Sequence, residues 1–164
     1  SFICDELVKN PLFRKVKALT TRPPRADGSD AEEYRFVSEA EFNAAIDDGS
    51  LVEHTTYAGH GYAIAKQEIE AIWAEGRIAI KPVDIHGAMA CKAAYGDQCV
   101  SVFVRRSKED IVLALLERDI SNEDKTRRLM TLDQEMENER LCDWTVSNNG
   151  SLDHAIRQIM RIVG

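Results

Sequence analysis

Two β-rich runs, Ile78-Ala79-Ile80 and Cys99-Val100-Ser101-Val102-Phe103-Val104, stand on either side of a helical pattern from Gly87 to Tyr95. No other feature of the chain narrows its fold as much. Parallel strands cannot be joined by a tight turn and need a crossover, most often a helix, so strand, helix and strand in this order mark a parallel βαβ unit. Short, nearly continuous apolar strands also suit a sheet covered on both faces. The expectation is an α/β protein.

Composition sets the limits of that protein. With 164 residues, 44% apolar and 30% charged, the chain can bury one proper core, and a second independent domain is not expected. A formal net charge of −7 excludes a nucleic-acid binder driven by backbone contacts, which carries a basic face, so any anion must be met by a local cluster. Cys4, Cys91, Cys99 and Cys142 include no CxxC pair and no His/Cys ligand spacing, which argues against a disulfide scaffold or a zinc site and for a reducing compartment. No apolar run approaches the roughly 18 residues of a membrane span, and no signal peptide opens the sequence; a cytoplasmic protein is expected.

Read in order, Phe2, Ile3, Leu7 and Val8 have helical spacing that Asn10-Pro11 stops, and Val16 to Leu19 reads as a buried strand. Ser38 with Glu41 forms a capping-box signature ahead of Phe42, Ala45 and Ile46, with Gly49 ending that helix. Leu51 to Tyr57 and Gly61 to Ile64 read as strands around an Ala58-Gly59-His60 turn. Ile69, Ile72 and Trp73 share one face of a helix over Lys66 to Gly76. Helical patterns follow over Asp110 to Arg118 and, after a polar interruption, over Thr126 to Leu141, where Leu129, Leu132 and Met136 leave only a thin apolar stripe. Asp143 to Val146 reads as a strand, and Ser151 caps a last amphipathic helix through Ile159 and Ile162.

The stretch Thr20 to Phe36, TTRPPRADGSDAEEYRF, carries the chemistry. Pro23 and Pro24 forbid a helix and bias the chain to a polyproline path, whose repeat of about three residues per turn puts Arg22 and Arg25 on one side. A guanidinium is a planar fork of donors suited to phosphate. Asp27, Gly28 and Ser29 supply a turn, and Glu33 to Phe36 reads as a strand able to bring the Tyr34 hydroxyl beside the arginines. A Pro-rich surface connection with solvated charges is the other reading of the same residues.

The whole series TTRPPR, EYRFVSEAEF, LVEH, AGHGYA, VDIHG, a charged RRL segment and VSNNGSLDHAI resembles the guanylate kinase family in order and approximate spacing. The resemblance implies an α/β P-loop fold, a three-layer parallel sheet with an inserted mixed-sheet nucleotide-monophosphate domain and a helical lid. It divides the chain into a core of 1–19, 77–105 and 141–164, a GMP-binding insert of 20–76 and a lid region of 106–140. It implies transfer of the γ-phosphoryl of ATP to GMP, with ATP and Mg2+ as cofactors, no nucleic acid or membrane partner, and a monomer or homodimer. Position by position it implies that Arg22, Arg25, Tyr34 and Tyr62 hold the GMP phosphate, that Glu53 accepts the N–H edge of guanine with Asp84 assisting, that Arg118 and Arg128 neutralise the transferring group, and that Asn148 lies near the ATP adenine. No metal ligand is assigned. Without the resemblance, Glu53 reads as a solvated strand carboxylate, Tyr62 as hairpin packing, the two lid arginines as surface ion-pair partners and Asn148 as a turn residue.

Four departures accompany the resemblance. The phosphate-loop string G-x-x-x-x-G-K-[ST] does not occur in these residues and is expected upstream of Ser1. Pro82 stands where the family places an aspartate near magnesium, next to an unusual Lys81, and Ile64 and Ala18 stand where it offers hydroxyls to the purine. Two alternatives to a guanylate kinase follow: an inactive binding module that uses the acceptor cleft for a partner peptide, and a kinase of the same fold with another phosphorylated acceptor.

Overall fold

The computed structural model describes residues 2–164, which divide into two compact units, one ending at Gly96 and one starting at Asp97. The first unit holds α1 (Phe2–Leu7), β1 (Phe13–Lys15), β2 (Ala18–Thr20), β3 (Tyr34–Phe36), α2 (Glu39–Asp47), β4 (Leu51–Tyr57), β5 (His60–Ala65), α3 (Lys66–Ala74), β6 (Ile78–Ile80) and α4 (Ile85–Tyr95). The second holds β7 (Val102–Arg105), α5 (Lys108–Leu116), α6 (Asn122–Glu137), β8 (Trp144–Ser147) and α7 (Leu152–Val163). The protein is α/β, as expected.

The strand expected over Val16 to Leu19 is divided. β1 pairs in parallel with β6, Phe13 opposite Ile78, and Val16 extends that ladder by donating its N–H to the Ile80 carbonyl at 2.9 Å. Two residues later β2 belongs to a different sheet, of order β3-β2-β5-β4, parallel to β3 and antiparallel to β5. β6 and β7 both lie in parallel ladders, but each partner is distant in sequence, β1 for the one and β8 for the other.

Strand alternation explains how the four-stranded sheet is covered. Directly paired residues share a face. Leu19 pairs with Ala63, and both join Phe42 and Ala65 in one cluster under α2. Gly61 lies on this face too: a Cβ there would stand 2.7 Å from the Phe42 ring. The small residues of β5 let the ring lie on the strand. On the other face Ile64 packs with Val16, Ile69 and Ile72, the buried side of α3.

Helix ends follow their sequence signals. Both capping-box bonds between Ser38 and Glu41 are present at α2, and Gly49 and Gly76, after α2 and α3, have φ of 71°. The turn of the β4–β5 hairpin is Ala58-Gly59, both at positive φ, which is the two-residue turn whose twist matches the strands. One boundary moves. α6 starts at Asn122 rather than Thr126, because the Ser121 hydroxyl accepts from the Asp124 N–H and caps the polar Asn-Glu-Asp segment into the first turn.

In the second unit Val146, Ala155 and Ile159 are buried between β8 and α7, and Leu115 and Leu132 between α5 and α6. Asp143 accepts from both the backbone N–H and the hydroxyl of Ser101, which fixes the start of the β7–β8 ladder. None of the four cysteines forms a disulfide among the described residues, and no described helix is long and apolar enough to cross a membrane.

Candidate functional site

The arginine loop begins with two threonines. Thr20 is fully buried; its hydroxyl donates to the Gly61 carbonyl at 2.9 Å and accepts from the Arg22 N–H at 3.1 Å. Thr21 closes the link, its hydroxyl accepting from the Gly61 N–H at 2.9 Å and its own N–H donating to the Gly61 carbonyl at 3.1 Å. Pro23 and Pro24 have no N–H to extend a ladder, so these side chains fasten the end of β2 to β5 instead.

Asp30, which the sequence did not single out, sits at the centre of the loop with 2% of its surface exposed. Its carboxylate accepts from Arg22 Nη2 and from the Arg25 backbone N–H, at 3.2 and 3.3 Å to its two oxygens. The Arg22 guanidinium holds this carboxyl below the usual carboxylate range, against the opposing effect of burial, and is itself pushed further up by the carboxylate. Arg22 Nη1 donates to the Pro23 carbonyl at 2.7 Å, and the guanidinium carbon lies 5.4 Å from the Tyr34 ring centroid and 5.8 Å from that of Phe36. The Arg25 side chain is exposed and makes no hydrogen bond or ion pair among the described residues.

The two tyrosines reach the same place from different strands. Tyr34 pairs with Ala18, and Tyr62 with Thr20, so both lie on the face opposite the α2 cluster. Their rings meet edge to face at 6.0 Å. Burial, with Glu33 adding to it, raises the Tyr34 phenol above its ordinary value, so it is a donor at neutral pH. Arg22, Tyr34 and Tyr62 therefore meet at one end of the sheet, and Arg25 follows on the same loop.

Glu53 lies on this face as well, opposite Ile64 on β5. Asp84 caps α4 by accepting from the Gly87 N–H at 2.9 Å. Gly87 is the meeting point: a Cβ added to it would stand 2.6 Å from Glu53 Oε2 and 3.0 Å from Val83 Cβ. Burial first, then the neighbouring Asp84, raises the Glu53 carboxyl above its ordinary value, with His86 and His54 acting in the opposite sense. The missing side chain at Gly87 is what leaves room for the carboxylate.

Ile64 is a core residue, 6% exposed, and Ala18 is buried at 8%. Pro82 is exposed, while Lys81 beside it is half-buried and donates to the Val16 carbonyl at 3.0 Å; burial lowers its pKa. Both line a cavity of about 160 Å3 with Lys15, Glu32, Glu33 and Tyr34. Among the described residues no group of three or more His, Cys, Asp or Glu gathers to hold a metal ion. A proline flanked by an ammonium does not suit a magnesium ligand.

Arg118, Arg128 and Asn148 belong to the second unit. Arg118 follows α5 and Arg128 lies on α6, both exposed and neither side chain in a hydrogen bond or ion pair among the described residues, whereas Arg127 beside them pairs with Asp124. The Asn148 N–H donates to the Arg105 carbonyl at 2.8 Å, continuing the β7–β8 ladder, and it is the next residue, Asn149, whose side chain accepts from the Ser107 N–H.

Parallel strand pairs and a separate four-stranded mixed sheet place the chain among α/β proteins. The profile described as "Guanylate kinase" matches residues 10–164. The guanylate kinase of Salinibacter ruber is 32% identical over 144 residues, 86% of this chain and 76% of that protein. Those of Chlamydia felis and Chlamydia caviae are 37% and 29% identical over 81 and 116 residues, and the matched parts span only 40% and 56% of those proteins, less than two thirds of their length. The crystal structure of guanylate kinase from Anaplasma phagocytophilum superposes with a TM-score of 0.72 at 21% identity, covering 98% of this chain and 78% of that one, which shows the shared fold. The chain belongs to the guanylate kinase family.

Proposed function

We propose that the protein is an ATP-dependent nucleoside monophosphate kinase that transfers the γ-phosphoryl of ATP to GMP, giving ADP and GDP. One observation carries the reading: Tyr34, Tyr62 and Glu53 share one sheet face, the Arg22 guanidinium lies over the Tyr34 ring in the loop that also carries Arg25, and Asp84 is brought to Glu53 through Gly87. The arginines and tyrosines supply donors for a phosphate, each charge-assisted bond contributing about 1.5–3 kcal/mol. Glu53 offers a carboxylate to the N–H edge of guanine; adenine has no matching donor pair and would leave the carboxylate unpaired. The raised Glu53 pKa fits a carboxyl meant to be desolvated by a base.

The family's relatives bear the name of the reaction, and the remaining roles rest on resemblance. Arg118 and Arg128 neutralise charge on the transferring group, and Asn148 neighbours the ATP adenine. Mg2+ bound with ATP would screen the phosphates, but Pro82 and Lys81 do not supply its ligands. The string that cradles ATP phosphates is absent from these 164 residues. They alone are expected to bind GMP without turnover, while a chain carrying that loop turns over.

A coupled assay of ADP formation with ATP, magnesium and GMP tests the proposal on the full-length protein. GMP-dependent turnover is the expected result. Silence from a loop-bearing chain that still binds GMP would favour a binding module, the reading that Pro82 and the half-buried Lys81 already support.

A further inference from the structure

We propose that Asp30 is a positioning residue that divides the labour of the two arginines: it fixes Arg22 as a neutralised strut and leaves Arg25 as the free charge that meets the phosphate. The inference rests on the reading of this site as a GMP-phosphate clamp.

A carboxylate beside a phosphate site is at first sight counterproductive, because it repels the ligand. The geometry of Asp30 gives it a different task. It is 2% exposed, so it faces the loop interior, and its oxygens are taken by Arg22 Nη2 and the Arg25 N–H. Those bonds span the loop from residue 22 to residue 30. Together with the Pro23 carbonyl on Nη1 and the rings of Tyr34 and Phe36, they hold the Arg22 guanidinium in one orientation. An arginine has five N–H donors, and the fork keeps some for a ligand after these bonds are made. Its charge, however, is matched within the loop.

Arg25 differs in every respect. Its backbone is pinned by Asp30 while its side chain has no hydrogen bond or ion pair among the described residues. The uncompensated charge of the clamp is therefore Arg25. A fixed strut and a pinned backbone lower the ordering cost of binding, which otherwise falls on rotamer-rich arginine side chains.

Replacing the carboxylate with its amide isostere separates positioning from simple charge. Asp30→Asn keeps an oxygen for the Arg25 N–H but loses the charge that holds Arg22. If Asp30 only opposed the phosphate, the variant would bind GMP more tightly; if it positions the arginines, GMP binding weakens. The measurement is the affinity of the full-length protein and the variant for GMP and for guanosine, which lacks the phosphate. Expected is a drop of about tenfold in the GMP-to-guanosine affinity ratio, the scale of one charge-assisted contact, with guanosine affinity unchanged at a temperature where the variant is folded. An unchanged or increased ratio overturns the inference, as does an equal loss for both ligands, which would mark a merely structural role. A parent protein with no preference for GMP over guanosine would instead remove the clamp itself, a result seen before any variant is made.

Discussion

Arg22 in the first unit and Arg118 and Arg128 in the second have opposite surroundings. Arg22, in the unit ending at Gly96, is tied to a buried carboxylate, a backbone carbonyl and two aromatic rings before any ligand arrives. Arg118 and Arg128, in the unit from Asp97, are exposed, and their side chains make no hydrogen bond or ion pair among the described residues, even though acidic side chains crowd α6. The difference teaches where binding free energy is invested beforehand. A site that must read a small rigid acceptor is preassembled, because every side chain ordered in advance is one less to order on binding. Interactions made only late in a reaction act on rate rather than affinity.

The comparison breaks most visibly at the free member of the preassembled pair. Arg25→Ala is expected to weaken GMP binding by about 1.5–3 kcal/mol by calorimetry, while Arg118→Ala leaves GMP affinity within error and lowers only turnover by the full-length enzyme. Equal losses of GMP affinity in both variants would erase the distinction between the units.

A smaller effect sharpens the base-reading half of the site. Gly87→Ala places a methyl 2.6 Å from Glu53 Oε2, the flexible end of a side chain, so the carboxylate and not the backbone gives way. Alanine is the better helix former by about 1 kcal/mol, so thermal stability should hold or rise while the preference for GMP over AMP falls by about tenfold. A variant that loses stability but keeps its preference would mean that Val83, the other close neighbour, had moved instead.

The smallest expected effect is a pH dependence. Glu53 must be ionised to accept guanine N–H groups, and its carboxyl is raised from 4.5 by burial and by Asp84. Guanosine affinity should therefore decline on acidification at pH values above those of an ordinary glutamate, with a limb that Glu53→Gln lacks. Stability carries the opposite sign: a raised carboxyl favours the folded state below the unfolded value and loses that contribution as pH rises through the folded one. Guanosine is the ligand of choice because GMP's own phosphate titrates near pH 6.

Local signals were legible in the sequence wherever a residue acts on its near neighbours. Ser38 with Glu41, Gly49, Gly76 and Ser151 set helix ends as their types require, and the two prolines placed Arg22 and Arg25 in one irregular loop. Interactions closed by the fold were not legible. Asp30 reads as one more acid in a turn, and only folding buries it against Arg22. Gly61 read as the start of a strand and Gly87 as the start of a helical pattern, whereas their task is to admit the Phe42 ring and the Glu53 carboxylate. The break between β1 and β2 was hidden because Val16 and Ala18 are both buried, one against the β6 side and one in the four-stranded sheet. The Ser121 cap was missed because its helix starts with three polar residues and no apolar periodicity.

The central claim is that this sheet face reads a guanine monophosphate. Calorimetric titration of the protein with GMP and, separately, with AMP tests it most directly, since both nucleotides carry the same phosphate and differ at the edge that Glu53 faces. The expected result is GMP binding at least tenfold tighter than AMP, a preference abolished in Glu53→Gln. Equal affinities for the two nucleotides in the parent would contradict it.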